Sequence, residues 1–368
     1  MRKRFRSNGY PIIILMAGLL TVFGCRLDGS EGKGSIHFDA EVALDRVHEW
    51  EIENPGVIPN PRFAGLLSDG SLIIIDNSLH TINHFDPDGE LIAHFGGVGN
   101  GPGEFAQITH AAVNPDGRVA VADLSNARIT VTDVYEGSHT FSDFSPGWNT
   151  QLSWTDSGLI MLGHPFGKMG TDPGDIFFWL LDPETGEMDD LYQLELEMSD
   201  PPYEQISCTF CAFKFQNDGS FYTTPQDTSY RAFRVNMATG EQTLFTRPES
   251  EPVALTEHEK EQSAERMAES ARITGMELPD RDIPTYKRRF IDYFPDHEGR
   301  LWILMNVAEG ETHRFDLFSS EAEYIGSVPL PEDAAAGMPI PGPDNRLTLY
   351  HESEDPDVWK AAIYQIVE

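Results

Sequence analysis

Few residues of this chain are spaced for chemistry. Apart from Cys25, the cysteines are Cys208 and Cys211, arranged as Cys-Thr-Phe-Cys. Thiols at that spacing could form a disulfide, hold a metal or exchange electrons. Zinc requires two further ligands at matching spacing, and none accompanies them. A thioredoxin-like role lacks its βαβ context, and haem attachment fails because Ala212 stands where a histidine is needed. A structural disulfide between Cys208 and Cys211 is expected in an oxidising compartment, with free thiols as the alternative. Positions i and i+3 of a flat strand lie about 10 Å apart on opposite faces, beyond the ~7 Å bridging limit, so a bridge here needs a turn or bulge. The 12 histidines include no His-x-x-x-His pair on a helical pattern. His80, His84, His94 and His110 therefore read as strand-surface or turn residues. Gly163 to Met169 has the wrong spacing for a phosphate-binding loop, and no Gly-x-Ser-x-Gly elbow occurs. Asp86-Pro87-Asp88-Gly89-Glu90 mimics the start of a calcium loop but falls in the register of a tight turn.

The N-terminus has a different task. Arg2, Lys3, Arg4 and Arg6 precede an apolar run from Pro11 to Phe23, the basic and apolar regions of a signal peptide. The run is too short for a spanning helix, which needs roughly 20 apolar residues. Val22-Phe23-Gly24-Cys25 resembles a bacterial lipobox, although Phe23 is bulkier than that motif usually places there. The resemblance implies cleavage after residue 24 and diacylation of Cys25, and acyl chains contributing ~0.8 kcal/mol per buried CH₂ make such attachment effectively permanent. A plain secretory signal or an uncleaved anchor is the alternative. Residues 25–41, rich in Gly, Ser and charge, read as the lipidated cysteine and a flexible tether. Arg26, rather than an aspartate, follows the cysteine, so the outer membrane is the expected destination.

The chain carries 26 Lys plus Arg against 60 Asp plus Glu, a formal charge of −34. Loss of the four basic signal residues makes it −38. Such a surface repels nucleic acid and anionic lipid. Membrane contact is therefore expected through the lipid alone, and the exported chain is expected to be monomeric. With 32 Gly, 25 Pro and 11% aromatic residues, the composition favours many short strands joined by tight turns.

Those turns recur. Ser68-Asp69-Gly70, Pro115-Asp116-Gly117, Asp156-Ser157-Gly158, Asn217-Asp218-Gly219, His297-Glu298-Gly299 and Pro343-Asp344-Asn345 each precede an apolar run. About twenty residues after five of them a second turn appears, at 86–89, 135–137, 184–186, 238–240 and 318–321. Gly and Asn supply the positive φ that tight hairpins require, and Asp tolerates it, so each unit reads as a four-stranded meander a–d with tight a–b and c–d turns. The a–b turns end at 70, 117, 158, 219, 299 and 345, so four steps exceed 40 by only a few residues or carry a moderate insertion, and the step of 80 carries a large one. Four strands per ~40–45 residues is the propeller signature. The fold expected for 42–368 is thus all-β, a six-bladed β-propeller with a helical insertion at about 248–284. The last unit ends before its fourth strand, and Val47 to Glu53 alternates as a strand ahead of the first unit. That segment is expected to close the ring and remove an aggregation-prone edge.

At this point the chain resembles the NHL and TolB-like six-bladed propellers from about Trp50 onward. The match is best at Gly101-Pro102-Gly103-Glu104-Phe105 and at Val121-Ala122-Asp123-Leu124-Ser125-Asn126-Ala127-Arg128-Ile129. In the second run Asp123 is expected to bond the turn backbone, Asn126 to take the left-handed region and Arg128 to reach back to Asp123. Asp76-Asn77-Ser78 is a weaker copy. Similar propellers include gluconolactonases and streptogramin lyases, which hold a metal at the channel mouth. The resemblance implies that, if this chain is such an enzyme, calcium or another divalent ion would be its cofactor; otherwise none is expected. Candidate polar residues for that alternative are Asn149, Gln151, His164, Glu204 and Asp227.

The tight turns all fall on one side of the ring and the long connections on the other, and function tends to sit in long loops on a rigid scaffold. Within the insertion, Thr256 and Glu259 form a capping box, and Ala264, Met267, Ala268 and Ala271 form a narrow stripe at helical spacing. Tyr286-Lys287-Arg288-Arg289 follows as the densest basic spot of the mature chain. The reading reached from the sequence is a non-catalytic platform for a protein, peptide or glycan on the d–a/b–c face. Aromatic and Arg residues usually anchor such surfaces, which singles out Phe105, Trp148, Tyr203, Tyr230, Tyr286 and Arg288 beside Asn149, Gln151 and His164.

Overall fold

The computed structural model describes residues 42–53, 61–137, 139–142, 150–163, 176–194, 213–224, 228–247, 249–274, 285–335, 339–351 and 358–367. In the first tight turn, the Asp69 carboxylate accepts the Ser71 N–H at 2.9 Å while Gly70 sits at φ 90°. The Asp218 carboxylate accepts the Ser220 N–H at 2.8 Å, and that of Asp296 accepts the Arg300 N–H at 2.9 Å. The sixth turn has no glycine, and Asp344 and Asn345 take positive φ themselves, at 56° and 55°. Asp and Asn tolerate this left-handed region, where a branched residue would be strained.

Strand β1 (Ala43–Glu53) precedes the first blade, which is built from β2 (Pro61–Leu66), β3 (Leu72–Asp76), β4 (Thr81–Phe85) and β5 (Leu91–Gly96). Blade two follows as β6 (Ile108–Val113), β7 (Arg118–Asp123), β8 (Arg128–Asp133) and β9 (His139–Ser142). Blade three comprises β10 (Gln151–Thr155), β11 (Gly158–Gly163), β12 (Ile176–Leu181) and β13 (Met188–Leu194). Blade four is β14 (Lys214–Phe215), β15 (Ser220–Thr223), β16 (Arg231–Asn236) and β17 (Gln242–Thr246), and the helix α1 (Glu257–Thr274) comes next. Blade five is β18 (Phe290–Pro295), β19 (Leu301–Met305), β20 (Arg314–Phe318) and β21 (Tyr324–Pro329). In blade six, β22 (Ile340–Gly342), β23 (Arg346–His351) and β24 (Val358–Val367) are joined by β1, so each of the six sheets has four antiparallel strands.

Second strands such as Leu72–Asp76 and Leu301–Met305 are buried at every position, because both faces of a blade pack on a neighbour. They therefore read as continuous apolar runs without alternation. The core is divided accordingly. Blades five and six share Trp302, Phe315, Leu347 and Tyr364; blades one and two share Ile73, Ile82, Phe105 and Val121; four further clusters fill the remaining interfaces.

The ring closes as the alternation of residues 47–53 led one to expect, with a longer strand. Ala43 pairs with Val367 and Glu53 with Val358. A bulge at Val47, between Arg46 and His48, shifts the register. One extra residue inverts the side-chain alternation, so Leu44 and Arg46 turn toward blade five while Trp50 packs with Leu66, Leu72 and Phe85 of blade one. The Trp50 indole N–H donates to the Pro87 carbonyl at 2.8 Å, tying the closing strand to the first blade.

Candidate functional site

The connection 97–107, from blade one to blade two, shows how the long-connection face is built. The Phe105 N–H donates to the Gly97 carbonyl at 2.8 Å, and the Gly101 N–H to the Glu104 carboxylate at 2.8 Å. Blade two clamps it. Asp123 accepts the N–H groups of Ala106 and Gln107 at 3.0 and 2.9 Å, and Asn126 Nδ2 donates to the Gly99 carbonyl at 3.0 Å. Arg128 donates to the carbonyls of Gly101 and Glu104 at 2.9 and 2.6 Å, so its guanidinium holds the preceding connection where the sequence suggested Asp123. Ala127, not Asn126, takes the positive φ, at 51°. Phe105 is fully buried between blades one and two. That corrects its selection as a ligand anchor: the loop folds back on itself and delivers the ring to the core.

The insertion between blades four and five is fastened at its base. The capping box forms: the Glu259 N–H donates to Thr256 Oγ1 at 3.2 Å and the Thr256 N–H to Glu259 Oε2 at 2.9 Å. Leu255 N–H donates to Thr285 O at 3.0 Å and Lys287 N–H to Val253 O at 2.8 Å, a short antiparallel clasp. The Lys287 ammonium reaches Glu259 at 2.7 Å and the Val307 carbonyl at 3.2 Å, pinning the start of α1 to the b–c turn of blade five. The Arg289 guanidinium donates to the carbonyls of Ser250 and Glu251, and burial pushes its pKa down. Tyr286 and Arg288 alternate with these buried partners and remain exposed. On the helix, Ala264 is half-buried and Ala268 exposed, so the small-residue stripe does not pack evenly.

Behind the clasp lies a buried carboxylate. Asp316 Oδ2 accepts from the Tyr230 hydroxyl at 2.7 Å and from Arg247 Nη1 at 2.9 Å, and Oδ1 accepts from Ser327 Oγ at 2.7 Å. Arg314 stands 3.6 Å from Oδ1. Tyr230, another sequence candidate, is thus buried rather than offered to solvent, and its pKa is pushed well up by burial and by Asp316. No short-range pattern marks this cluster, since Arg247 and Asp316 are 69 residues apart.

Around the axis the inner strands β2, β6, β10, β14 and β18 follow one another in contact. Bulges recur one residue into three of them, between Pro61 and Phe63, Ile108 and His110, and Phe290 and Asp292. Lys214 Nζ lies 3.3 Å from the buried Asp292 carboxylate. His110 Nδ1 accepts the Leu152 N–H at 3.1 Å, and burial, then the charges of Lys214 and Arg62, push its pKa down to about 3. Gln151 is buried at the start of β10.

A cleft of about 930 Å³ opens between the outer parts of blades five and six, lined by Val42, Leu44, Arg46, the 310–313 turn, the 328–332 segment and Tyr364 among others. On its wall runs a closed cycle of polar contacts. Arg46 Nη2 meets both Asp333 oxygens at 2.7 Å, and Arg46 Nε donates to the Tyr364 hydroxyl at 3.1 Å. That hydroxyl is 3.0 Å from His351 Nε2, and His351 Nδ1 is 3.2 Å from Asp333. Because the Tyr364 oxygen accepts from Arg46, its proton is placed to donate to Nε2, which leaves the ring proton on Nδ1, near Asp333 but without a hydrogen bond to it.

Trp148, Asn149, His164, Tyr203, Cys208 and Cys211 lie outside the described residues, as do Cys25, Glu204 and Asp227. Among the described residues no group of three His, Cys, Asp or Glu side chains is placed to hold a metal ion.

The comparisons agree on architecture. The model of DUF5128, described as a 6-bladed beta-propeller, matches residues 66–143, which span the first two blades from the end of β2. A DUF4221 protein from Bacteroides vulgatus is similar at 12% identity with a TM-score of 0.53, covering 90% of this chain and 99% of its own. A Bacteroides fragilis protein named as exported gives 12% identity and 0.53, covering 89% and 95%. The fold is that of a six-bladed propeller. A streptogramin B lyase is a more distant likeness, at 11% identity and a TM-score of 0.41 over 82% of this chain and 78% of its own. No curated protein sequence matches the chain.

Proposed function

We propose that this chain is an exported lipoprotein, lipid-anchored through Cys25 in the outer membrane, whose propeller is a non-catalytic platform for a protein, peptide or glycan partner. The observation that carries the binding reading is the difference between the two faces. Most of the a–b and c–d turns are short and closed by bonds from their backbone to their own Asp or Asn side chains. The opposite face bears the clasped insertion with Tyr286 and Arg288 exposed on it, and the 930 Å³ cleft opens at the rim between blades five and six. Preformed concave surfaces on a rigid scaffold suit recognition. Export is supported by the basic and apolar start of the sequence and by the fold shared with a Bacteroides fragilis protein named as exported. Among the described residues no helix is long and apolar enough to cross a membrane.

Cys25→Ser should move the protein from the membrane to the soluble envelope fraction; unchanged detergent partitioning would refute lipidation. For binding, the full chain is to be screened against peptide and glycan arrays. Tyr286→Ala and Arg288→Ala should each weaken a captured ligand by more than about 1 kcal/mol, while changes at Asp88, Asp116 or Asp218 should not. Loss of binding from the turn-face changes alone would reverse the assignment of the working face.

A further inference from the structure

We propose that the cleft between blades five and six is a recognition subsite for a cationic, partly apolar peptide segment, one that presents a Lys or Arg side chain between aliphatic neighbours. The inference rests on the binding reading above and names the chemistry of one part of it. Its volume of about 930 Å³ falls within the range of about 300–1,000 Å³ usual for ligand pockets. Val42, Leu44, Val328, Leu330 and Ala334 supply aliphatic walls.

The polar lining is unequal. Arg46 is the cation in the wall, and its charge is already met by both Asp333 oxygens at 2.7 Å and by Glu49 at 3.0 Å. The carboxylates of Glu311 and Glu332 also line the cleft, and both residues are exposed. Glu311 Oε2 takes one long bond, from the Ala308 N–H at 3.3 Å, which leaves most of its acceptor capacity open. Several main-chain donors of the lining are absent or engaged, and Thr312 brings one exposed hydroxyl. Pro329 and Pro331 have no N–H, the Leu330 N–H is used by the His313 carbonyl at 2.8 Å, and the Ala334 N–H by the Pro331 carbonyl at 2.9 Å. His313 Nδ1 faces the Met305 carbonyl at 3.2 Å and so carries the ring proton, which makes Nε2 an acceptor in the neutral ring. A wall with two exposed carboxylates suits ammonium or guanidinium groups, which donate only. A carboxylate or phosphate ligand would meet the exposed carboxylates of Glu311 and Glu332.

The test uses the full-length protein in detergent and two fluorescently labelled pentapeptides, a Leu-Lys-Leu-Lys-Leu amide and its Leu-Glu-Leu-Glu-Leu twin, read by polarisation. The lysine peptide should bind, its affinity should fall with added salt, and Glu311→Gln and Glu332→Gln should each weaken it about threefold to fivefold at low ionic strength. Leu44→Gln should weaken it without changing the salt dependence. Equal binding of the two peptides, or no binding of the lysine peptide, would overturn the proposal. Binding that is lost with Tyr286→Ala or Arg288→Ala and indifferent to Glu311→Gln and Glu332→Gln would also overturn it, yet would leave the platform reading of the face intact.

Discussion

His110, half-buried on its inner strand, is held uncharged by its surroundings: Nδ1 accepts the Leu152 N–H, and desolvation, then the charges of Lys214 and Arg62, push its pKa down to about 3. In an unfolded chain the ring titrates near pH ~6.5. Because the folded value lies below the unfolded one, this contribution to stability is whole above about pH 6.5 and is lost as the pH falls from there toward the folded value. His110→Asn keeps an acceptor near the position of Nδ1 and removes the titration. The urea midpoint of the variant should therefore fall less between pH 7 and pH 5 than that of the wild type, and parallel curves would show that His110 does not set the slope. The sequence assigned this residue to a strand surface or a turn. It could not show the cations, because Lys214 comes from an inner strand two blades away. Phe105 failed as an anchor for a related reason: residue type marks a large apolar ring, and only the fold of the connection decides whether it meets solvent or core. Tyr286 and Arg288 are exposed because the clasp at 253–255 and 285–287 leaves alternate side chains outward.

Elements defined by local chemistry were the most legible. The tight turns announce themselves because Asp, Asn and Gly solve a problem set by four consecutive residues, and the capping box at Thr256 and Glu259 is just as local. The clamp that blade two places on the 97–107 connection spans more than twenty residues, and Arg128 was accordingly given the wrong partner. The neighbouring glycines of that connection offer a direct test. Gly96 sits at φ 100°, and a Cβ there would lie 2.5 Å from the His80 carbonyl oxygen and 2.9 Å from the Phe105 ring. Gly97 sits at φ 119° with nothing within 4 Å. Gly97→Ala should cost about 1 kcal/mol from backbone strain alone. Gly96→Ala adds overpacking and should cost ~2–4 kcal/mol. Equal losses in chemical denaturation would mean that the close approach is relieved by movement of the loop.

For the whole molecule, periodicity carried the architecture: six turn signals stood for six blades, and a missing last strand pointed to the segment before the first. Register was the part that could not be read. The bulge at Val47 inverts which side chains face which blade, so Arg46 joins blade five and Trp50 joins blade one. Deleting Ala43–Glu53 should leave β24 as an open edge and uncover the Trp50 seat, and light scattering should report aggregation at temperatures where the intact protein is monomeric. A truncated protein that stays monomeric with an unchanged Tm would show that the ring does not depend on this strand. The closing strand also has a mechanical meaning. Whatever precedes Val42 is joined directly to the seam of the ring, so any tension transmitted from that side is borne first by the pairs Ala43–Val367 and Leu44–Ile366. Arg46, fixed at once to Asp333 and Tyr364, is the next point of load. A pull would have to break that clip before peeling could reach Trp50, so the propeller resists opening at the place where a tether would strain it most.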